Sequence, residues 1–226
     1  DWSSDVCSSD LTECVGLQGH VYDLAWANTA NKKGEIVLQK NYLVQEVFTN
    51  PKKMMGAFYA SKLFTHYAPM LERGDITMRP WLEIIEELHE DMREHGTKIL
   101  SAYNAGFDLR VIQQTHESLG HDGLALDLDG IDILDIWQFA CETKLSQATY
   151  KKLARELGWI TPKKNIKTGA EFAFRFTSGD WAFIEDHTAL SDTLIEVEIL
   201  AACFATKKKI PYNIINAAPW RIVNNG

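Results

Sequence analysis

The chain is short of several things. No apolar run approaches the roughly 20 residues of a membrane-spanning helix, which speaks against a helical span and a membrane partner. Cysteine is scarce: Cys7, Cys14, Cys141 and Cys203 stand far apart, with no CxxC pair and no metal-ligand spacing. Neither a disulfide framework nor a zinc ribbon is expected from them, and the pattern is that of a reducing compartment. The first residues show no basic stretch followed by an apolar core, so no secretory signal is read there and a cytoplasmic setting is expected. Basic charge is also in deficit, with 23 Lys and Arg against 31 Asp and Glu and a formal charge of -8. That excludes an all-over basic surface of the kind that binds nucleic acid by releasing counterions from many phosphates. Any such contact must be local.

What is present reads as a soluble globular protein. At 226 residues, 46% hydrophobic, 11% aromatic and 24% charged, the chain suits one good-sized core. Lysines cluster in "KKLARELGWITPKKNIK" (Lys151 to Lys167) and at Lys207 to Lys209, either as a local basic patch or as solvated faces and a basic tail. Residues 1–11, "DWSSDVCSSDL", are rich in Ser and Asp and have neither strand alternation nor a helical stripe. They resemble a translated sequencing-adapter scar and are set aside as a foreign or disordered segment. Residues 12–206 are expected to form the domain, and residues 207–226 a tail.

Two β-rich runs, His20 to Ala27 and Glu35 to Val44, joined by an Asn/Lys/Gly turn, predict a hairpin. A helix is expected after Pro51, with Met54, Met55, Phe58, Tyr59 and Leu63 at helical spacing. A clearer one carries the stripe Trp81, Ile84, Ile85, Leu88 and Met92 and ends at Gly96. Then come a short strand (98–103), a turn at Asn104 to Gly106, a helix over 107–119, another strand running into a helix in "GIDILDIWQFACE", and helices over 147–157 and 170–176 before a last strong one. A hairpin followed by alternating helix and strand predicts an α/β domain with a mixed central sheet flanked by helices.

Three carboxylates sit at junctions of this pattern: Glu13 on a first strand, Asp108 opening a helix after a strand, and Asp192 in the first turns of the last helix, behind His187. In an open α/β sheet such junctions gather on one edge, and convergent carboxylates suit oxygen-seeking ions such as Mg²⁺ or Mn²⁺. Taken singly, Asp108 is also what a helix first turn favours, Asn104 what a turn favours, and His187 a helix-start residue. Asp23, Asp132, Asp135 and Asp186 are read as structural or solvated.

Together the residues resemble a known family. "YNAGFD" (Tyr103 to Asp108) is similar to the Asn-x-x-x-Asp motif of DnaQ-like 3′-5′ exonucleases, and "HTALSD" (His187 to Asp192) to the His-x-x-x-x-Asp motif of their DEDDh subclass. "LTECVGL" matches their Asp-x-Glu-x-x-Gly-Leu motif at Glu13, Gly16 and Leu17, with Leu11 where the motif has Asp. The order is right, the resemblance runs from Thr12 to about Thr206, and "DTLIEVEIL" with "GAEFAFRF" looks most like phage-type members, whose setting is a bacterial or phage-infected cytoplasm.

The resemblance implies an RNase H-like fold and a two-metal hydrolysis of phosphodiester bonds at nucleic-acid 3′ ends that releases nucleoside monophosphates, with single-stranded DNA as the expected substrate and RNA as the alternative. Glu13, Asp108 and Asp192 would be ligands of Mg²⁺ or Mn²⁺, His187 the general base, Gly16 and Leu17 the holders of the terminal nucleotide, and Asn104 a steadying residue. A replicative polymerase is an implied partner. Because leucine coordinates nothing, the chain as written is expected to be impaired. The alternative is a catalytically inactive RNase H-like domain that binds nucleic acid or a polymerase, and a plain α/β interaction domain stands behind both.

Overall fold

The computed structural model describes residues 7–15, 19–55, 57, 61–206 and 209–225, the first five by their backbone alone. Strands β1 (Cys7–Cys14), β2 (Val21–Thr29), β3 (Ile36–Val44), β4 (Thr77–Arg79), β5 (Ile99–Ala102) and β6 (Asp132–Asp135) form one sheet in the order β4-β3-β2-β1-β5-β6. β1 to β3 are an antiparallel meander, while β1, β5 and β6 run parallel. The helices are α1 (Gln45–Phe48), α2 (Pro51–Met54), α3 (Ala68–Arg73), α4 (Trp81–Glu94), α5 (Ala105–Ser118), α6 (Ile136–Ala140), α7 (Ala148–Glu156), α8 (Ala170–Ser178), α9 (Ala189–Phe204) and α10 (Trp220–Asn224). The α/β class with a mixed sheet that starts in a meander is thus the one the chain adopts. Among the described residues no helix is long and apolar enough to cross a membrane.

Strand alternation decides which helices cover which face. Neighbouring residues of β2 point to opposite sides. On one side Trp26 Nε1 donates to Asp91 of α4 at 2.9 Å, and on the other the Ala189 N–H of α9 donates to Asp23 at 3.0 Å. Trp81 Nε1 donates to His116 Nδ1 at 3.1 Å and joins α5 to α4 on the first face. The stripe Trp81, Ile84, Ile85, Leu88 and Met92 is buried there, as its spacing predicts. On the second face α9 packs with Phe139, Tyr150 and Ala173 around Ile199, Leu200 and Cys203.

Three segments differ from the expectation. Residues 7–11, set aside above, belong to β1: Cys7 to Leu11 pair with Thr29 to Ala25, and Cys7 to Ser9 also with Ile99 to Ser101. Ladder bonds use main-chain groups that every non-proline residue carries, so pairing on both edges needs no side-chain pattern. The helix expected after Pro51 is broken: α2 stops at Met54, Met55 is 69% exposed, and the chain resumes as a π-helical turn (Leu63–Tyr67) before α3. Pro69 at the start of α3 has no N–H for a carbonyl four residues back, and the wider turn accommodates that gap. Phe58 and Tyr59 lie outside the described residues. Finally, 209–225 is no free tail. The Asn213 N–H donates to Ile133 O at 2.7 Å, the Ile166 N–H donates to Asn224 Oδ1 at 2.7 Å, and Val223 is buried.

Candidate metal and hydrolytic site

Because β1, β5 and β6 are parallel, their carboxyl ends share one edge of the sheet, and the chain leaves β5 and β6 there directly into α5 and α6. Glu13 is the second-last residue of β1 and pairs with Asp23 of β2, so both belong to the α9 face. Asp23 is fully buried. It accepts from Tyr67 Oη at 2.7 Å, Asn41 Nδ2 at 2.5 Å and the Ala189 N–H at 3.0 Å, which pins the first turn of α9 against β2. Just upstream, His187 takes a left-handed backbone (φ 53°) and Thr188 an extended one, and this bend turns the chain into α9. Asp192 follows in the first turn, where the helix dipole favours a negative charge.

This geometry brings Glu13, His187 and Asp192 together: each offers a ligand atom, and these atoms all lie within 4.8 Å of one another. Burial, then the charge of Asp23, pushes Glu13 up to about 8. Burial, then Glu185 and Glu13, pushes Asp192 up to about 9, and its Oδ1 has no hydrogen-bond partner. Two buried carboxylates crowded by acidic neighbours, one of them with an oxygen that has no hydrogen-bond partner, fit a divalent cation, which would favour their ionised forms. Two carboxylates and an imidazole are also a chemically suitable donor set.

Two further residues serve the trio. Glu185 Oε2 lies 3.4 Å from His187 Nδ1, and burial, then Glu171, lifts its carboxyl to about 7. Lys62 donates to the carbonyls of Asp186 and His187, the latter at 2.9 Å, bracing the bend. The His187 imidazole is held below its ordinary value by desolvation, then by Lys62. With its proton on Nδ1, facing Glu185, the neutral imidazole would keep the Nε2 lone pair free.

Asp108 does not join the three. Its Oδ1 accepts the Thr12 N–H at 3.2 Å and the Thr12 hydroxyl at 2.8 Å. Thr12 pairs with Leu24 while Glu13 pairs with Asp23, so the Thr12 side chain that holds Asp108 faces away from Glu13, although the Asp108 charge is among those that raise Glu13. Burial raises its carboxyl to about 7. Asn104 is a turn residue with a left-handed backbone (φ 75°) and no side-chain bond to the helix it opens. Gly16 and Leu17 lie outside the described residues, and of Leu11 only the backbone is described, opposite Ala25.

Of the carboxylates read as structural or solvated, Asp23 anchors α9 as above and Asp135 caps α6, its Oδ1 accepting the Gln138 N–H at 3.1 Å. Asp132 and Asp186 are exposed. Glu185, Lys62 and the buried Glu196 were missed. An isolated acid in an otherwise apolar helix face was the available signal for Glu196, one turn after Asp192 in "DTLIEVEIL". Nothing local marks Lys62, 125 residues from the carbonyl it holds.

No family model and no curated protein matches the chain. Solved structures do match it in fold. Escherichia coli exonuclease I in complex with a 5cy-dT13 oligonucleotide superposes with a TM-score of 0.60 at 11% identity, over 90% of this chain and 41% of that one. Exonuclease I from Methylocaldum szegediense gives 0.58 at 14%, over 90% and 41%. The E. coli enzyme in complex with a dA16 oligonucleotide gives 0.57 at 10%, again over 90% and 41%. The chain therefore spans about 41% of the length of these exonuclease I structures, and at such identities the likeness is one of fold.

Proposed function

We propose that the chain is a metal-dependent nuclease domain that hydrolyses phosphodiester bonds at nucleic-acid 3′ ends, with single-stranded DNA as the first substrate class and nucleoside monophosphates as products. The observation that carries this reading is the convergence of Glu13, His187 and Asp192 within 4.8 Å, in a fold shared with exonuclease I. The motif resemblance adds the direction of attack, from the 3′ end.

Glu13 and Asp192 would hold Mg²⁺ or Mn²⁺, which supplies an acidified water and shields phosphate charge. His187 accepts the proton of the attacking water as the new P–O bond forms and the bond to the 3′ oxygen of the preceding nucleotide breaks. Glu185 keeps the imidazole turned and its Nδ1 proton engaged. Lys62 holds the His187 carbonyl and so fixes the main chain that carries the imidazole. Gly16 and Leu17 would hold the terminal nucleotide and Asn104 would shape the turn beside it. A second ion calls for more carboxylate than the trio has. Asp108 and an acid at position 11, where Leu11 now stands, are the candidates.

One observation favours the alternative of an inactive nucleic-acid-binding or polymerase-associated domain: Asp108 is engaged by Thr12 rather than by the trio. A gel following 3′ degradation of a 5′-labelled oligonucleotide, in Mn²⁺ and in EDTA, separates the two. Metal-dependent laddering from the 3′ end supports the nuclease, whereas binding without any cleavage in the chain and in its Leu11→Asp variant supports the binding domain.

A further inference from the structure

Beyond the trio, a groove opens beside α6. It encloses about 490 Å³ and is lined by Trp137, Trp220, Lys163, Lys167 and the 161–168 loop, a volume in the range of pockets that take one small ligand unit. The loop is part of the lysine cluster noted in the sequence. Lys163 and Lys164 are exposed, and among the described residues no carboxylate stands within ion-pair distance of either, on a chain whose formal charge is -8.

The aromatic wall is fixed rather than loose. Trp137 Nε1 donates to Thr168 Oγ1 at 3.0 Å, and the ring stacks on Tyr103 with centroids 6.4 Å apart and planes 21° from parallel. Tyr103 Oη in turn donates to Thr168 O at 2.5 Å. On the far side Trp220 belongs to α10, with the Arg221 guanidinium 5.4 Å from its ring centroid. The wall reaches toward the hydrolytic edge: Tyr103 directly follows β5, at the sheet edge where α5 opens.

We propose that this groove is a subsite for single-stranded nucleic acid, taking nucleotides on the 5′ side of the terminal one, with a base against the tryptophan rings and a phosphate on Lys163. The inference rests on the reading of the trio as a 3′-end hydrolase for its direction, but not for its chemistry. Tryptophan faces stack on any base, and free lysines bind the backbone without reading sequence. In this proposal a strand whose 3′ end lies at the trio continues past Trp137 into the groove. The recognised features are an unpaired base and its phosphate, so duplex ends should not use it.

The test is fluorescence anisotropy of labelled oligothymidylates of about 4 and about 15 nucleotides with the full chain in EDTA, where nothing is cleaved. Trp220→Ala should weaken the longer oligonucleotide about five- to a hundredfold, the range of a single base–aromatic stack, with the salt dependence unchanged. Lys163→Ala should lower the salt slope by about 0.7, the contribution of one phosphate of a single strand. Neither should alter the shorter oligonucleotide. Lys163→Ala, on an exposed loop, keeps the test open if Trp220→Ala fails to fold. Equal affinity and equal slope in the unmodified chain and both variants would overturn the groove, as would no binding at all. Tryptophan-dependent binding that persists while the Leu11→Asp chain releases no nucleotide in Mn²⁺ would instead retire the hydrolase and leave the groove standing.

Discussion

The Asp23 carboxylate accepts the Ala189 N–H at 3.0 Å and thereby ties the start of α9 to the middle of the sheet. Glu13 is its cross-strand partner, and Asp192 lies three residues past Ala189. One buried acid therefore sets the separation of two others. Asp23→Ala leaves the Tyr67 hydroxyl, the Asn41 amide and the Ala189 N–H buried without an acceptor, and should cost about 3–5 kcal/mol in urea unfolding. Asp23→Asn keeps an acceptor and should cost less. An unchanged midpoint for Asp23→Ala would mean that α9 is held by something else.

Stability in chelator should fall as pH rises. Folded Glu13 and Asp192 titrate near 8 and 9, against ordinary values of 4.5 and 3.8. Between those limits the folded chain binds more protons than the unfolded one, so the slope of unfolding free energy with pH is negative. The penalty is absent below about pH 4 and complete above about pH 9. Melting temperatures recorded across that window in EDTA should decline, and Mn²⁺ should restore most of the loss above pH 7 by offsetting the carboxylate charge.

Asp192→Asn removes the higher-titrating of the two acids. It should abolish the Mn²⁺-induced rise in melting temperature and, in EDTA at pH 8, leave the chain at least as stable as before, because a repelling charge is gone. Calorimetric titration with Mn²⁺ checks the same point directly. Retained metal affinity in Asp192→Asn would show that Glu13 and His187 hold the ion without it.

His187→Ala separates base from ligand. If the imidazole takes a proton, turnover should drop by roughly 10²–10⁴ while the Mn²⁺ affinity changes little. Equal loss of affinity in His187→Ala and Asp192→Asn would make His187 a ligand instead. Glu185→Gln, which keeps the shape but not the charge, should lower turnover less than His187→Ala and shift its pH profile to lower pH, since a neutral neighbour no longer favours imidazolium.

Leu11→Asp restores an acid two residues before Glu13 on the same strand, in register with Ala25. The chain as written should release little or no mononucleotide in Mg²⁺ or Mn²⁺, and the variant should release it clearly, as read on the 3′-degradation gel with EDTA as control. Asp10→Ala should change neither, being one residue out of step. Activity of the unmodified chain that Asp10→Ala removes would put the working acid at Asp10.

By itself the sequence determined whatever depends on local period. The Trp81 to Met92 stripe, the hairpin strands read at 20–27 and 35–44 and found at 21–29 and 36–44, and the α9 helix announce themselves because burial of one face imposes a spacing of 3.6 or 2 on nearby residues. Glu13, Asn104, Asp108, His187 and Asp192 were legible only through the resemblance of three short motifs, in their order, to those of DnaQ-like exonucleases. Only the tertiary structure decided which of them meet. Asp108 is held by Thr12, whose side chain faces away from that of Glu13, a difference of one residue on β1. Asp23, Lys62 and Glu185 enter the site because β2, the turn after residue 61 and the α9 entry pack against one edge, across separations of up to 166 residues. Residues 7–11 became a strand, and 209–225 docked on β6 and the 161–168 loop, through main-chain and amide hydrogen bonds. Those groups are nearly the same in every residue, so their pairing leaves no pattern in the sequence and is settled by which neighbours the sheet order supplies.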